Sequence, residues 1–223
     1  MKLRAEQVSR QFFRTTKQSN VFLAVKETSL TLEPGQLVAV TGRSGSGKST
    51  LLNMMAGLLE PTSGRVWLDE TDLYALDDRE RSRLRNRSFG IIPQGQTGLS
   101  SLTVLENVKL PFLLYCEEAP EDRALALLEE VGISRLANAC PNELSGGEMR
   151  RLAIARALIR EPEILLADEP TGDLDDENTK TVLTLLRQAA DRGASVLLVT
   201  HEGEALPYAD RIYRMNDGVL AEA

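Results

Sequence analysis

A chain of 223 residues with 42% hydrophobic and 26% charged side chains can bury one substantial core and is polar enough for an ordinary globular protein. Its formal net charge of −7 argues against nucleic acid as the main partner, because neutralising phosphates requires a basic face. No apolar run approaches the roughly 20 residues of a membrane helix. The opening Met1-Lys2-Leu3-Arg4-Ala5-Glu6 lacks the apolar core of a signal peptide, and Cys116 and Cys140 have no metal-ligand spacing. A cytoplasmic protein, or one held at a membrane only through a partner, is expected.

Up to about Val40 the chain alternates strand-like stretches with turn signals, of which Glu33-Pro34-Gly35 is the clearest. Leu37–Val40 reads as a buried strand, and residues 49–59 as a helix. Between them, Gly42-Arg43-Ser44-Gly45-Ser46-Gly47-Lys48-Ser49 fits the phosphate-binding pattern G-x-x-x-x-G-K-[ST]. That loop is credible in this setting, because the helix N-terminus supplies free N–H groups and the positive end of a dipole. Gly42, Gly45 and Gly47 allow the backbone to wrap phosphates, and Arg43, Ser44, Ser46 and Thr50 belong to the same cradle. Lys48 is expected to reach the β- and γ-phosphates and the Ser49 hydroxyl to ligate Mg²⁺.

Thr62-Ser63-Gly64 turns the chain into a short strand over Arg65–Asp69. Asp77–Arg87 is helix-friendly, with arginine at every second position from 79 to 87. That spacing scatters charge around a helix, and a solvated helix is expected. From about 95 to 142 helical segments are punctuated by Pro111, Pro120 and Pro141. Helix then strand follows twice, Glu148–Arg160 into Ile164–Ala167 and Asn178–Arg192 into Ser195–Thr200. Apolar strands interleaved with helices predict an α/β fold with a mostly parallel sheet covered on both faces.

Two further features carry chemistry. Ile164–Glu169 is a buried strand ending in two acids, which suits a Mg²⁺-holding Asp168 beside a second carboxylate. Ser145-x-x-Glu148 reads as a capping box. Gly146 and Gly147, however, weaken the start of a helix, and their presence is explained by close approach of an anion.

Leu144-Ser145-Gly146-Gly147-Glu148, shortly before Asp168-Glu169, resembles the signature of ATP-binding-cassette (ABC) ATPases, and the resemblance extends over essentially the whole chain. It implies a P-loop domain over 1–223 with a mostly parallel core sheet, a small antiparallel β subdomain and a helical subdomain inserted at about 95–145. It implies ATP hydrolysis with Mg²⁺. Glu169 then polarises the attacking water, His201 contacts the γ-phosphate, and Gln94 senses the metal. Ser145, Gly146, Gly147 and Glu148 would face the γ-phosphate held by a second copy, in a head-to-tail dimer whose interface Asp175 crosses. Adenine would stack on Phe12, with Phe13 as runner-up. The chain departs from the family at Arg43 (usually proline), Pro93 (usually aromatic) and Asp173 (more often asparagine).

Arg85–Gly90, Leu102–Val108, Leu110-Pro111 and Ala167–Gly172 are similar to the branch that includes lipoprotein-release, macrolide-export, bacitracin-resistance and FtsE-like cell-division ATPases. The implied partner is a separate membrane permease with a large extracytoplasmic portion, its coupling helix docking on residues within Thr97–Leu105. A non-transporting regulator of cell-wall enzymes and a soluble iron–sulfur assembly ATPase stay open as alternatives.

Overall fold

The computed structural model describes residues 1–13, 21–95, 98–172 and 174–223. The chain runs β1 (Leu3–Phe13), β2 (Val21–Leu32), β3 (Leu37–Thr41), α1 (Lys48–Met55), β4 (Ser63–Leu68), β5 (Thr71–Asp72), α2 (Asp78–Ser88) and β6 (Phe89–Ile92). It continues through α3 (Val104–Leu113), α4 (Glu121–Glu130), α5 (Gly146–Leu158), β7 (Ile164–Asp168), α6 (Asp176–Asp191), β8 (Ser195–Thr200), β9 (Arg211–Asn216) and β10 (Val219–Glu222).

A six-stranded sheet of order β10-β9-β3-β8-β7-β6 is parallel except for its β10 edge. An antiparallel sheet of order β2-β1-β4-β5 packs beside it. The parallel sheet follows from its central strands, since β7 and β8 are buried at every residue and can exist only with both faces covered. Alternate residues serve opposite layers. Leu165, Ala167, Val196 and Leu198 join a core with α3 to α6, whereas Ile164, Leu166, Leu197 and Val199 join a second core with α1, β1 and β4. The expected α/β architecture is present.

Two local details differ from expectation. Helix α1 stops at Met55 instead of about 59, because Gly57 takes a left-handed φ of 66° and the N–H groups of Leu58 and Leu59 both turn back to the Asn53 carbonyl. On α2 the arginines are not uniformly solvated. Arg85 donates to the Gly57 carbonyl at 2.8 Å and Arg81 lies 5.2 Å from the centre of the Tyr74 ring, while Arg79, Arg83 and Arg87 are exposed.

The loop entering α3 is held by one buried amide. Asn107 Nδ2 lies within 2.9–3.1 Å of the carbonyls of Leu99, Leu102 and Thr103, and its Oδ1 accepts from Leu99 N–H at 2.8 Å. Thr103 and Glu106 cap the helix reciprocally. Because truncation strands several buried backbone groups, Asn107→Ala is expected to lose about 3 kcal/mol in urea unfolding, against less than about 1 kcal/mol for an exposed neighbour.

Candidate active site

Strands β3, β7 and β8 pair in parallel with Thr41 opposite Thr200 and Asp168 opposite Val199. Their carboxyl ends therefore reach one edge of the sheet at one level, where open α/β sheets hold ligands. From that edge the chain leaves into the glycine loop, into Glu169 and into His201. Phe12, Phe22, Ser44, Gly45, Lys48, Thr50, Gln94, Glu169 and His201 are among the residues lining a cavity of about 420 Å³ there.

The glycine loop differs from expectation in one respect. A Cβ on Gly42 would stand 2.2 Å from the Met215 carbonyl oxygen, and one on Gly47 would stand 2.3 Å from that of Ala24. Both positions, with φ of 154° and 108°, are thus closed to side chains by the protein's own backbone. Gly45, at φ 79°, would meet nothing within 4 Å and opens onto the cavity. The loop is tied down further, since Gly218 N–H donates to Ser46 O at 3.0 Å and Gly218 O accepts from Lys26 N–H at 2.8 Å.

Buried Lys48 donates to the carbonyls of Gly42 (2.7 Å) and Arg43 (3.2 Å), and its ammonium lies 3.8 Å from Glu169 Oε1. Asp168 is buried, and its carboxyl is pushed above the usual range first by burial and further by the neighbouring Glu169 charge, against a hydrogen bond from Ser49. Its Oδ1, and the hydroxyl of Ser46, are buried without a hydrogen-bond partner among the described residues. Those orphaned atoms fit a Mg²⁺–nucleotide complex. Among the described residues no cluster of three or more His, Cys, Asp or Glu could chelate a metal alone, and Mg²⁺ is usually bound by one or two protein groups with phosphates and water completing its shell.

Glu169 is held in the left-handed region, at φ 49°, with its N–H bonded to Val199 O at 2.8 Å. Backbone strain of this kind in a non-glycine residue costs on the order of 1–3 kcal/mol and persists only where the surroundings enforce it. The turn aims the carboxylate at the next loop, where Oε2 sits 2.9 Å from His201 Nδ1 and 3.3 Å from His201 N. This contact holds the imidazole pKa above the ordinary histidine value.

The two aromatic candidates are placed differently at the end of the cavity. Phe12 lines it, with the Arg10 guanidinium 4.8 Å from the ring centre, whereas Phe13 is 82% exposed and does not. Phe22, opposite Phe12 in the β1–β2 register, lines the same wall and was not foreseen. Gly42 and Arg43 border an adjacent cleft of about 640 Å³ that also touches His201 and Arg214.

Ser145, Gly146, Gly147, Glu148 and Asp175 lie outside this cavity. Ser145 and Glu148 form the expected capping box, the Ser145 hydroxyl accepting from Glu148 N–H at 3.3 Å and Glu148 Oε2 from Ser145 N–H at 2.9 Å. Asp175 caps α6 by accepting from Asn178 N–H at 2.8 Å. Arg150, also unforeseen, reaches from α5 to the Pro93 carbonyl at 3.0 Å, just before Gln94. Asp173 and Thr97 lie outside the described residues.

A strand–glycine loop–helix unit whose lysine and serine meet an acidic strand end defines a P-loop nucleoside-triphosphatase. The comparisons narrow the class: residues 25–172 match the ABC transporter family. The lipoprotein-releasing ATP-binding protein LolD of Pseudomonas syringae pv. tomato is 45% identical over 197 residues, covering 87% of each chain. The ABC transporter ATP-binding protein YtrE of Bacillus subtilis is 40% identical over 88% of this chain and 86% of its own. The dimeric structure of MJ0796, a bacterial ABC transporter cassette, superposes with a TM-score of 0.91 at 34% identity, over 99% of this chain and 98% of that one. The same cassette is also known in a post-hydrolysis dimer bound to ADP and Pi. The chain belongs to the ABC transporter family and is one of its ATPases.

His201 is the only histidine of the chain, so its titration can be followed without overlap. Its midpoint is expected above about 6.5 by imidazole NMR, and Glu169→Gln is expected to lower it. A raised native pKa means that the contact's stabilisation is full below about pH 6.5 and is lost as pH rises through the raised value.

Proposed function

We propose that the chain is the ATP-hydrolysing subunit of a membrane complex, working as a head-to-tail pair at the cytoplasmic face. The observation that carries this reading is the division of groups. Lys48, Ser49, Asp168, Glu169 and His201 gather at one sheet edge, while the capped, glycine-started helix at Ser145 begins outside that cavity. A second copy facing this one would close the cavity with that helix start, whose N–H groups and dipole suit a γ-phosphate. Cassette dimers are known for the similar MJ0796.

In this reading ATP lies with its base against Phe12 and Phe22 and its phosphates in the glycine loop. Lys48 gives up its loop carbonyls for phosphate oxygens. Mg²⁺, held by Ser49 and Asp168 with Gln94 nearby, would neutralise the phosphate charge that develops on cleavage. Glu169 takes the proton of the attacking water, and His201 orients that water against the γ-phosphate. Loss of the γ-phosphate removes the anion that joins the copies, and the pair opens.

We place the permease contact farther along than Thr97–Leu105, where Leu99 is 47% exposed. Within the expected stretch Val104 is fully buried and the loop before it is locked by Asn107. An open groove of about 400 Å³ lies farther along, between α2, β6 and the end of α3, with Leu110, Pro111, Leu114 and Tyr115 on its apolar wall. Leu114 is 64% exposed. An apolar face of a permease's cytoplasmic helix fits there. The names of relatives, lipoprotein-releasing LolD and macrolide-export MacB, support a permease of that kind.

Two tests follow. Glu169→Gln is expected to bind ATP, to hydrolyse it at least about 100-fold more slowly, and to elute as a dimer with ATP on size exclusion; a wild-type rate removes Glu169 as the base. Purified from native membranes in mild detergent, the wild-type chain is expected to carry an integral permease, and Leu114→Glu to lose it while keeping the isolated cassette's basal ATPase. Equal recovery by both would place the contact elsewhere.

A further inference from the structure

The two loops that carry Glu169 and His201 share a polar contact that the reaction as described does not use. Thr171 is 2% exposed, and its hydroxyl donates to the Glu202 carboxylate. Glu202 is itself fixed from the other side, its N–H donating to the hydroxyl of fully buried Thr200 at 3.0 Å. Thr171 sits inside a tight turn in which Gly172 N–H bonds back to Glu169 O at 3.3 Å. The chain of contacts therefore runs from the end of β8, through Glu202 and Thr171, around one turn to Glu169. A second strut joins the same loops through Glu169 N–H and Val199 O. Glu169 and His201 are thus braced on both sides of their 2.9 Å contact.

We propose that Thr171 and Glu202 are a positioning pair for hydrolysis, fixing the separation of the Glu169 and His201 loops. The inference rests on the reading of Glu169 as base. Neither residue touches the nucleotide cavity, so neither acts on substrate directly. Packing alone does not account for the pair. A hydroxyl facing a partly buried carboxylate must offset the desolvation of a charge, whereas an apolar pair of similar shape would fill the space at less cost. What the polar pair adds is direction, because a hydrogen bond sets distance and angle where an apolar contact does not. Errors of about 1 Å in a reacting geometry can cost on the order of 100-fold in rate.

The test compares Thr171→Val and Thr171→Ser in the full chain, with Glu202→Ala as a second route to the same loss and Glu169→Gln alongside. Thr171→Val is expected to lower kcat about tenfold with KM for ATP within about twofold, and Thr171→Ser to retain at least half the wild-type kcat. The imidazole titration of His201 should fall towards the ordinary histidine midpoint in Thr171→Val and stay put in Thr171→Ser. A merely structural hydroxyl would lower the melting temperature of Thr171→Val and leave kcat and the His201 midpoint unchanged, which overturns the proposal. Should Thr171→Val fail to fold, Glu202→Ala decides by kcat against KM alone, because removing the Glu202 charge lowers the His201 midpoint by itself. A slow Glu169→Gln beside a wild-type-like Thr171→Val sinks the pair and spares the base. A wild-type-like Glu169→Gln removes both.

Discussion

The site depends on three parallel strands ending at the same height. β3, β8 and β7 lie side by side with Thr41 opposite Thr200 and Asp168 opposite Val199, so the glycine loop, the acidic loop and the histidine loop leave from one line. A slip of one residue in any of these pairings would move a loop by about 3.3 Å and invert the strand's two faces. That error would bury no surface well, because both faces of β7 and β8 pack against apolar layers. Core packing therefore enforces the register, and the register places the chemistry. The hydrophobic effect sets an alignment that no single hydrogen bond at the site could hold alone.

Electrostatics at the edge then follow from burial. A lysine and two carboxylates are buried there beside a largely exposed imidazole, and their charges are compensated mainly by one another and by loop carbonyls. Such a cluster is poised for a highly charged ligand, because phosphates and a divalent ion can replace these mutual contacts without leaving any group unpaired. The unpartnered oxygens of Asp168 and Ser46 are where that replacement is incomplete in the protein alone.

Much of this was legible in the residues. Runs such as Ile164–Ala167 and Ser195–Thr200 have the length and composition of buried strands, and the glycine loop and capping box carry their own spacing rules. What escaped depended on register or on distant packing. Phe22 faces the cavity because it pairs with Phe12, yet β1 and β2 change register three times between Ala5 and Gln11, so counting in twos along either strand fails. The inward turn of Arg81 and Arg85 depends on where Tyr74 and Gly57 come to rest, which no periodicity in α2 encodes. Nothing in the sequence of α5 singles out Arg150, whose reach to Pro93 appears only once α5 is set against the loop after β6. The exposure of the apolar wall at Leu110–Tyr115 has no sequence signal, because an exposed helix end and a buried one share the same composition.

The contacts of Gly42 and Gly47 have a mechanical consequence. The glycine loop rests on the Met215 carbonyl from the parallel sheet and on that of Ala24 from the antiparallel sheet, with the β9–β10 turn hydrogen-bonded to both the loop and β2. The antiparallel sheet also carries Phe12 and Phe22. The aromatic wall and the phosphate loop are therefore joined by backbone on backbone, and their separation behaves as a gauge of fixed length. In the proposed reading a nucleotide would be measured against it from base to terminal phosphate. Movement on binding or hydrolysis has to be absorbed elsewhere, where the connection is a side chain and not a stacked main chain. The single guanidinium of Arg150, spanning from α5 to the carbonyl before Gln94, is the softer joint.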